Sequence, residues 1–218
     1  MSAGSNNTAE AISLTTYAKQ AGADAALLIS PYYNKPTQEG HVAHYRAIAD
    51  ASGLPLFVYN IPGRTGVNIL PETIAKMAEH PMIVGVKEAS GSLDQISRLI
   101  QLTEGRMTVL SGDDSLTLPL IAVGGHGVIA VVSNVAPAKV VAMVRAARAG
   151  DYTTARRLHY ELLPIIQALF TETNPIPVKA AMAMLGKCSP ELRMPLTPIT
   201  EPNRKRLEAV LRAHGLLV

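Results

Sequence analysis

Tryptophan is missing from the sequence, and cysteine occurs once, at Cys188. A single thiol excludes an intramolecular disulfide framework and any zinc or iron–sulfur cluster built on several thiolates, and it fits a reducing compartment. Seven tyrosines and two phenylalanines are the whole aromatic complement, too few and too scattered to form a stacking platform for nucleic acid. The 20 lysines and arginines behind the formal charge of +3 are spread along the chain and form no basic patch in sequence. No apolar run approaches the roughly 18 residues that a bilayer span requires. The opening Met-Ser-Ala-Gly-Ser-Asn-Asn-Thr lacks the basic and apolar segments of a signal peptide. These absences predict a cytoplasmic protein that binds neither nucleic acid nor membrane. Hydrophobic residues make up 48% of the 218 positions, enough for a substantial core, which excludes a disordered tail or a stapled mini-protein.

Short runs rich in Val, Ile and Leu recur at 25–29, 54–59, 82–87, 107–110 and 127–132. They begin about 20 to 30 residues apart, close to the ~30-residue strand–helix–strand unit, so the spacing predicts a parallel sheet. The runs do not alternate apolar with polar, which predicts strands buried on both faces. Helix signals fill the gaps. Asn7 with Glu10 has capping-box spacing before 11–21, Pro71 suits a first helical turn, and Ser92 precedes 93–102; helices also fit 37–51 and 115–123. Beyond the fifth run, helices are predicted over 136–149, 151–172, 176–185 and 202–214 with no strand between them. Asn174-Pro175-Ile176-Pro177 forms a stiff linker among them. The organisation predicted is a (β/α) region over 1–150 and a helical region over 151–218.

In parallel α/β folds the reactive groups gather where strands end, so the residues after each run carry the chemistry. Lys87 directly follows Val84-Gly85-Val86. An amine carried there into a desolvated pocket has a lowered pKa and can attack a keto group to form a Schiff base. On position alone, a strand-end lysine that snorkels to solvent or pairs with Glu88 fits equally well. Tyr59 ends the neighbouring run and could shuttle protons, although a half-buried tyrosine bonded to backbone is the commoner arrangement. Arg64 lies in the Pro-Gly-Arg-Thr-Gly turn, which would hold a guanidinium toward a carboxylate or simply expose a surface arginine. Asp113 and Asp114, just before Ser115, read as helix caps more than as acid–base or metal-binding carboxylates. Gly124, Gly125 and Gly127 precede a strand, the wrong order for a dinucleotide loop. His126 reads as structural and Cys188 as an unreactive loop thiol. The Asn6-Asn7-Thr8 sequon is idle in a cytoplasmic protein.

Five motifs stand in order along the chain: Gly-Ser-Asn-Asn-Thr-Ala-Glu-Ala at 4–11, Pro-Tyr-Tyr-Asn-Lys-Pro-Thr-Gln-Glu-Gly at 31–40, Tyr-Asn-Ile-Pro-Gly-Arg-Thr-Gly at 59–66, Val-Lys-Glu-Ala-Ser-Gly at 86–91 and Ser-Gly-Asp-Asp at 111–114. Together they resemble the dihydrodipicolinate synthase family, within a broader group of Schiff-base aldolases that includes N-acetylneuraminate lyase. The Pro-Gly-Arg-Thr turn favours the dihydrodipicolinate branch. The resemblance implies condensation of pyruvate with aspartate semialdehyde on the diaminopimelate route to lysine, with no metal or organic cofactor beyond a pyruvate imine on Lys87. It also implies that Tyr59 relays protons, that Arg64 anchors a carboxylate, and that Tyr33 reaches across a dimer interface to complete the neighbour's relay. Gly112 and Ile129 correspond to positions lining the pyruvate pocket. Asn6, Glu10 and Tyr32 correspond to part of an allosteric lysine site.

The family fold is an eight-stranded barrel of about 250 residues, whereas the sequence predicts five strands followed by the family's helices. The fold class expected is therefore α/β, a partial TIM-barrel-like (β/α) array with a C-terminal helical appendage. On this reading the family's first three strands have no counterpart, nor has its Gly-Thr-Thr-Gly-Glu motif, whose second threonine links the two relay tyrosines. Five strands leave open edges, which predicts self-association into a dimer or tetramer. Three functions stay open: a lyase of this family with activity reduced by the shortening, a non-catalytic oxo-acid-binding or assembly remnant of it, and an aldolase with another aldehyde partner.

Overall fold

The structure is a computed structural model that describes residues 1–217. The chain forms two compact units, Met1–Ile129 and the residues from Ala130 onward. In the first, β1 (Ala26–Ile29), β2 (Leu56–Asn60), β3 (Ile83–Glu88), β4 (Thr108–Ser111) and β5 (Gly127–Val128) make one parallel sheet in the order 1-2-3-4-5. The helices between them are α1 (Thr8–Gln20), α2 (Gln38–Ser52), the single turn α3 (Pro62–Thr65), α4 (Pro71–Met77), α5 (Leu93–Thr103) and α6 (Thr117–Ala122). The α/β architecture, the five parallel strands and the helical C-terminal part are as the sequence implies.

Local chemistry explains most boundaries. Thr37 and Ser92 each accept a hydrogen bond from the backbone N–H three residues on, at 3.1 and 3.2 Å, and so start α2 and α5. Pro71 takes the first turn of α4, where its missing N–H costs nothing. At α1 the expected capping box is relayed. Asn7 accepts from the Glu10 N–H at 3.0 Å, but the Glu10 carboxylate takes the Ser5 hydroxyl, and Ser5 Oγ in turn receives the Asn7 N–H at 3.2 Å.

Two expectations are corrected. The fifth strand ends at Val128, because the chain turns after Ile129 toward a 3-10 turn at Val132–Asn134. The strands are also not buried on both faces. Ala26, Leu28, Leu56, Val58, Val86 and Val109 are sealed, whereas the alternate residues Leu27, Ile29, Phe57, Tyr59, Lys87 and Leu110 are only half-buried. The sealed face lies against the helices, as the Tyr45 hydroxyl of α2 donating to the Leu28 carbonyl at 2.9 Å shows. Apolar residues on both faces mimic two-sided burial in sequence, and only the pleat separates them.

Residues 1–3 run alongside β1 as a parallel ribbon. Leu27 N–H donates to the Met1 carbonyl at 2.7 Å, and Ala3 N–H donates to the Leu27 carbonyl at 3.2 Å. Gly4 follows this ribbon so closely that a Cβ there would lie 2.6 Å from the Ile29 nitrogen.

The second unit is helical: α7 (Pro137–Arg148), α8 (Tyr152–Leu169), α9 (Ile176–Met184) and α10 (Glu201–Ala213). α7, which the sequence joins to the 1–150 region, belongs to this unit and packs along α8. Asp151 caps α8 by accepting the Thr154 N–H at 3.0 Å.

Candidate active site

Lys87 and Tyr59 are register partners across β2 and β3, so both side chains leave the sheet on its half-buried face. The Lys87 Nζ stands 4.2 Å from the centroid of the Tyr59 ring. Gly112, just past β4, gives the lysine stem its room, since a Cβ there would approach Lys87 Cε to 3.1 Å and Ala89 Cβ to 2.6 Å. Deeper on the same face the Phe57 ring covers Gly85, where a Cβ would lie 2.1 Å from a ring carbon. Two glycines therefore shape this surface, one under a ring and one beside the amine.

Burial pushes the Lys87 amine below the usual lysine range; the carboxylates of Asp114 and Asp113 pull it back up, and the Arg64 guanidinium lowers it further. Burial raises the Tyr59 phenol, with Arg64 opposing and Asp113 reinforcing the shift. Burial likewise raises the Asp113 carboxyl, against the pull of Lys87. Asp113, expected to cap a helix, makes no side-chain cap at the 3-10 turn Asp114–Leu116. It is instead part of the charge environment of the amine. Its backbone is pinned by the Ser111 hydroxyl, which donates to the Asp113 carbonyl at 2.7 Å and accepts the Asp113 N–H at 3.2 Å.

Arg64 sits in α3, closed by left-handed Gly66 (φ 75°) and by the Thr65 hydroxyl donating to the Ile61 and Val67 carbonyls at 3.1 and 3.0 Å. The turn is rigid and its arginine is exposed. Ile129 is 38% exposed, and its N–H donates to the Ser111 carbonyl at 3.0 Å beyond β5. Tyr33 is 88% exposed and held at φ 70°, a left-handed conformation uncommon outside glycine. Asn6 Nδ2 donates to the Tyr32 carbonyl at 3.1 Å, and Asn34 Nδ2 donates back to the Asn6 carbonyl at 2.9 Å. The structure thus brings together Lys87, Tyr59 and Gly112 in one cluster and Asn6 with Tyr32 in another. Glu10 is taken by Ser5, and Tyr33 stands apart on the surface.

Sequence reasoning missed a polar network behind the site. Glu88 is buried on the opposite face from Lys87 and accepts from Asn60 Nδ2 at 3.0 Å, the Ser90 N–H at 2.6 Å and Gln95 Nε2 at 3.3 Å. Asn68 and Gln95 exchange side-chain hydrogen bonds at 2.8 and 3.2 Å and join the same network. Burial holds the Glu88 carboxyl above the usual carboxylate range, against hydrogen bonds from Ser90, Asn60 and Gln95. The signal was available in the period of the strand: a residue after an inward lysine faces the helices, and an acid there needs partners. The remaining minor readings fit simple roles. His126 Nδ1 accepts the Val109 N–H at 3.1 Å, which ties it to β4, and Gly125 has no room for a Cβ beside Leu120. Cys188 is exposed. Among the described residues no group of three or more His, Cys, Asp or Glu could hold a metal ion, and no helix is long and apolar enough to cross a membrane.

A family model described as the dihydrodipicolinate synthetase family matches residues 1–214. The 4-hydroxy-tetrahydrodipicolinate synthase of Nitratidesulfovibrio vulgaris is 57% identical over 216 residues, which are 99% of this chain and 74% of that protein. The solved dihydrodipicolinate synthase of Thermotoga maritima superposes with a TM-score of 0.97 at 46% identity, covering 99% of this chain and 75% of that one. The enzyme from Acinetobacter baumannii, solved in complex with pyruvate, gives 0.97 at 45% identity and covers 99% of this chain and 74% of that one. A desolvated strand-end lysine facing a tyrosine, on a sheet that superposes on these structures, leaves one assignment: the chain belongs to the dihydrodipicolinate synthetase family, a family of aldolase-type lyases.

Proposed function

We propose that the chain forms a Schiff base between Lys87 and pyruvate and condenses the bound pyruvate with aspartate semialdehyde. The observation that carries this reading is the Lys87 amine, depressed by burial and 4.2 Å from the Tyr59 ring centroid. A neutral amine adds to the keto carbon, the carbinolamine loses water, and the resulting iminium acidifies the adjacent methyl group. Loss of a methyl proton gives an enamine, whose carbon attacks the aldehyde. Tyr59 is the donor and acceptor at hand for these proton movements. Arg64, on its rigid exposed turn, receives a substrate carboxylate, and Gly112 and Ile129 border the pyruvate. No step calls on a metal or an organic cofactor.

The chain also self-associates on this reading. Tyr33 is nearly fully exposed in a constrained backbone, which suits a side chain completed by a second copy. The half-buried sheet face adds apolar surface that a partner would cover. Asn6, Glu10 and Tyr32 form part of a lysine-responsive site, a reading supported by the Asn6–Tyr32 hydrogen bond.

Borohydride reduction in the presence of pyruvate tests the central claim. The expected result is one covalent adduct mapped by mass spectrometry to Lys87 and lost in Lys87→Ala. An unmodified wild-type chain, or an adduct that survives in Lys87→Ala, overturns it. A coupled assay with aspartate semialdehyde then reads the second half of the reaction.

A further inference from the structure

The helical unit holds a cavity of about 520 Å³ between the start of α9 and the loop that follows that helix. This volume lies within the range of small-molecule sites. Lys179 projects from the first turn of α9, where its N–H is fixed on the Pro175 carbonyl at 3.0 Å, and Arg193 approaches from the loop. Neither side chain forms an ion pair or a side-chain hydrogen bond among the described residues. Glu191 lines the same space and pairs with neither cation. Ser189 Oγ accepts the Glu191 N–H at 3.2 Å, which leaves its own proton to donate. Leu192 and Leu196, both half-buried, supply the apolar part of the wall.

Two cations, one anion and an aliphatic wall around one open cleft, in which Ser189, Glu191 and Arg193 are exposed to solvent, define a ligand by complementarity. A guanidinium takes a carboxylate on two oxygens, and an ammonium takes a second carboxylate as a point charge. A carboxylate beside them discriminates against inorganic polyanions and receives an ammonium group. We propose that this cavity binds a small acidic amino acid, with its carboxylates on Arg193 and Lys179, its ammonium toward Glu191 and its methylenes against Leu192 and Leu196.

The test is a titration of the full chain carrying Lys87→Ala, so that chemistry at that lysine cannot contribute, followed by amide chemical shifts. The probes are L-glutamate, glutarate, L-glutamine and inorganic phosphate. The expected result is saturable L-glutamate binding with shifts centred on 175–196. Affinity should fall at least tenfold for L-glutamine and phosphate, and at least tenfold in Arg193→Gln or Lys179→Gln. Glu191→Gln should weaken L-glutamate while leaving glutarate unchanged or tighter. Arg193→Lys keeps the charge without the fork and should lie between wild type and Arg193→Gln. The proposal is overturned by an absence of saturable shifts, by equal binding of phosphate or L-glutamine, or by unchanged affinity in the folded charge-removing variants.

Discussion

The two faces of the sheet are built from alternate residues of the same strands, yet they do different work. Leu56 and Val58 are sealed on one face, while Phe57 and Tyr59 between them remain half-buried on the other. The sealed face is apolar except at the carboxyl ends of β2, β3 and β4, where Asn60, Glu88 and Ser111 are buried and hydrogen-bonded. The open face carries the amine, the phenol and the glycines that make space for them. Stability and chemistry are therefore separated by the pleat. The side chain that holds β3 in place, Glu88, is the immediate neighbour of the one proposed to react.

The sharpest way to break this comparison is to remove matched side chains from the two faces. Leu56→Ala should cost about 2–5 kcal/mol, because it leaves a cavity in a close-packed layer. Leu27→Ala, from the half-buried face, should cost roughly 1 kcal/mol, because little apolar surface there is sealed from water. Urea denaturation of both variants measures the gap, and equal losses would erase the distinction.

Acid should act on the sealed side before the open one. His44 of α2 is buried, with Nδ1 3.0 Å from Thr8 Oγ and Nε2 unpartnered, and neighbouring His41 is buried with both ring nitrogens unpartnered. Burial lowers the His44 pKa to about 4, and the charge of His41 contributes. A histidine depressed in the fold stabilises it fully above its unfolded pKa of about 6.5 and loses that contribution as pH falls toward 4. The expected loss is about 2–3 kcal/mol between those limits. In His44→Gln, urea midpoints followed across this pH range should fall less steeply than in wild type. Identical slopes would remove His44 from the account.

A smaller effect belongs to the open face. Asp113 raises the Lys87 pKa, so Asp113→Asn should shift the pH profile of borohydride trapping toward lower pH. Trapping at the unaltered midpoint would show that Asp113 does not act on the amine.

Much of this organisation was legible in the sequence for identifiable reasons. Thr37, Ser92 and Pro71 act locally, so their helix starts follow from residue type. Lys87 and Tyr59 end runs whose parallel pairing places them side by side. Part of what escaped depends on contacts made far along the chain. The Asp113 side chain does not cap the 3-10 turn Asp114–Leu116, and the charge that acts on it comes from Lys87 of β3, 26 residues earlier. Closer in sequence, Glu10 has the spacing of a capping-box arm, but Ser5 takes its carboxylate. The half-exposure of Leu27 and Phe57 had no sequence signal, because a leucine or phenylalanine looks the same whether or not anything covers it.

The ribbon at residues 1–3 has a colloidal consequence. At Leu27 the outward N–H and carbonyl of β1 are already satisfied by Met1 and Ala3, so this rim of the sheet offers no free ladder there to a foreign strand. Three residues thereby shift the unpaired ladder of this rim from Leu27 to the outward backbone of the ribbon itself.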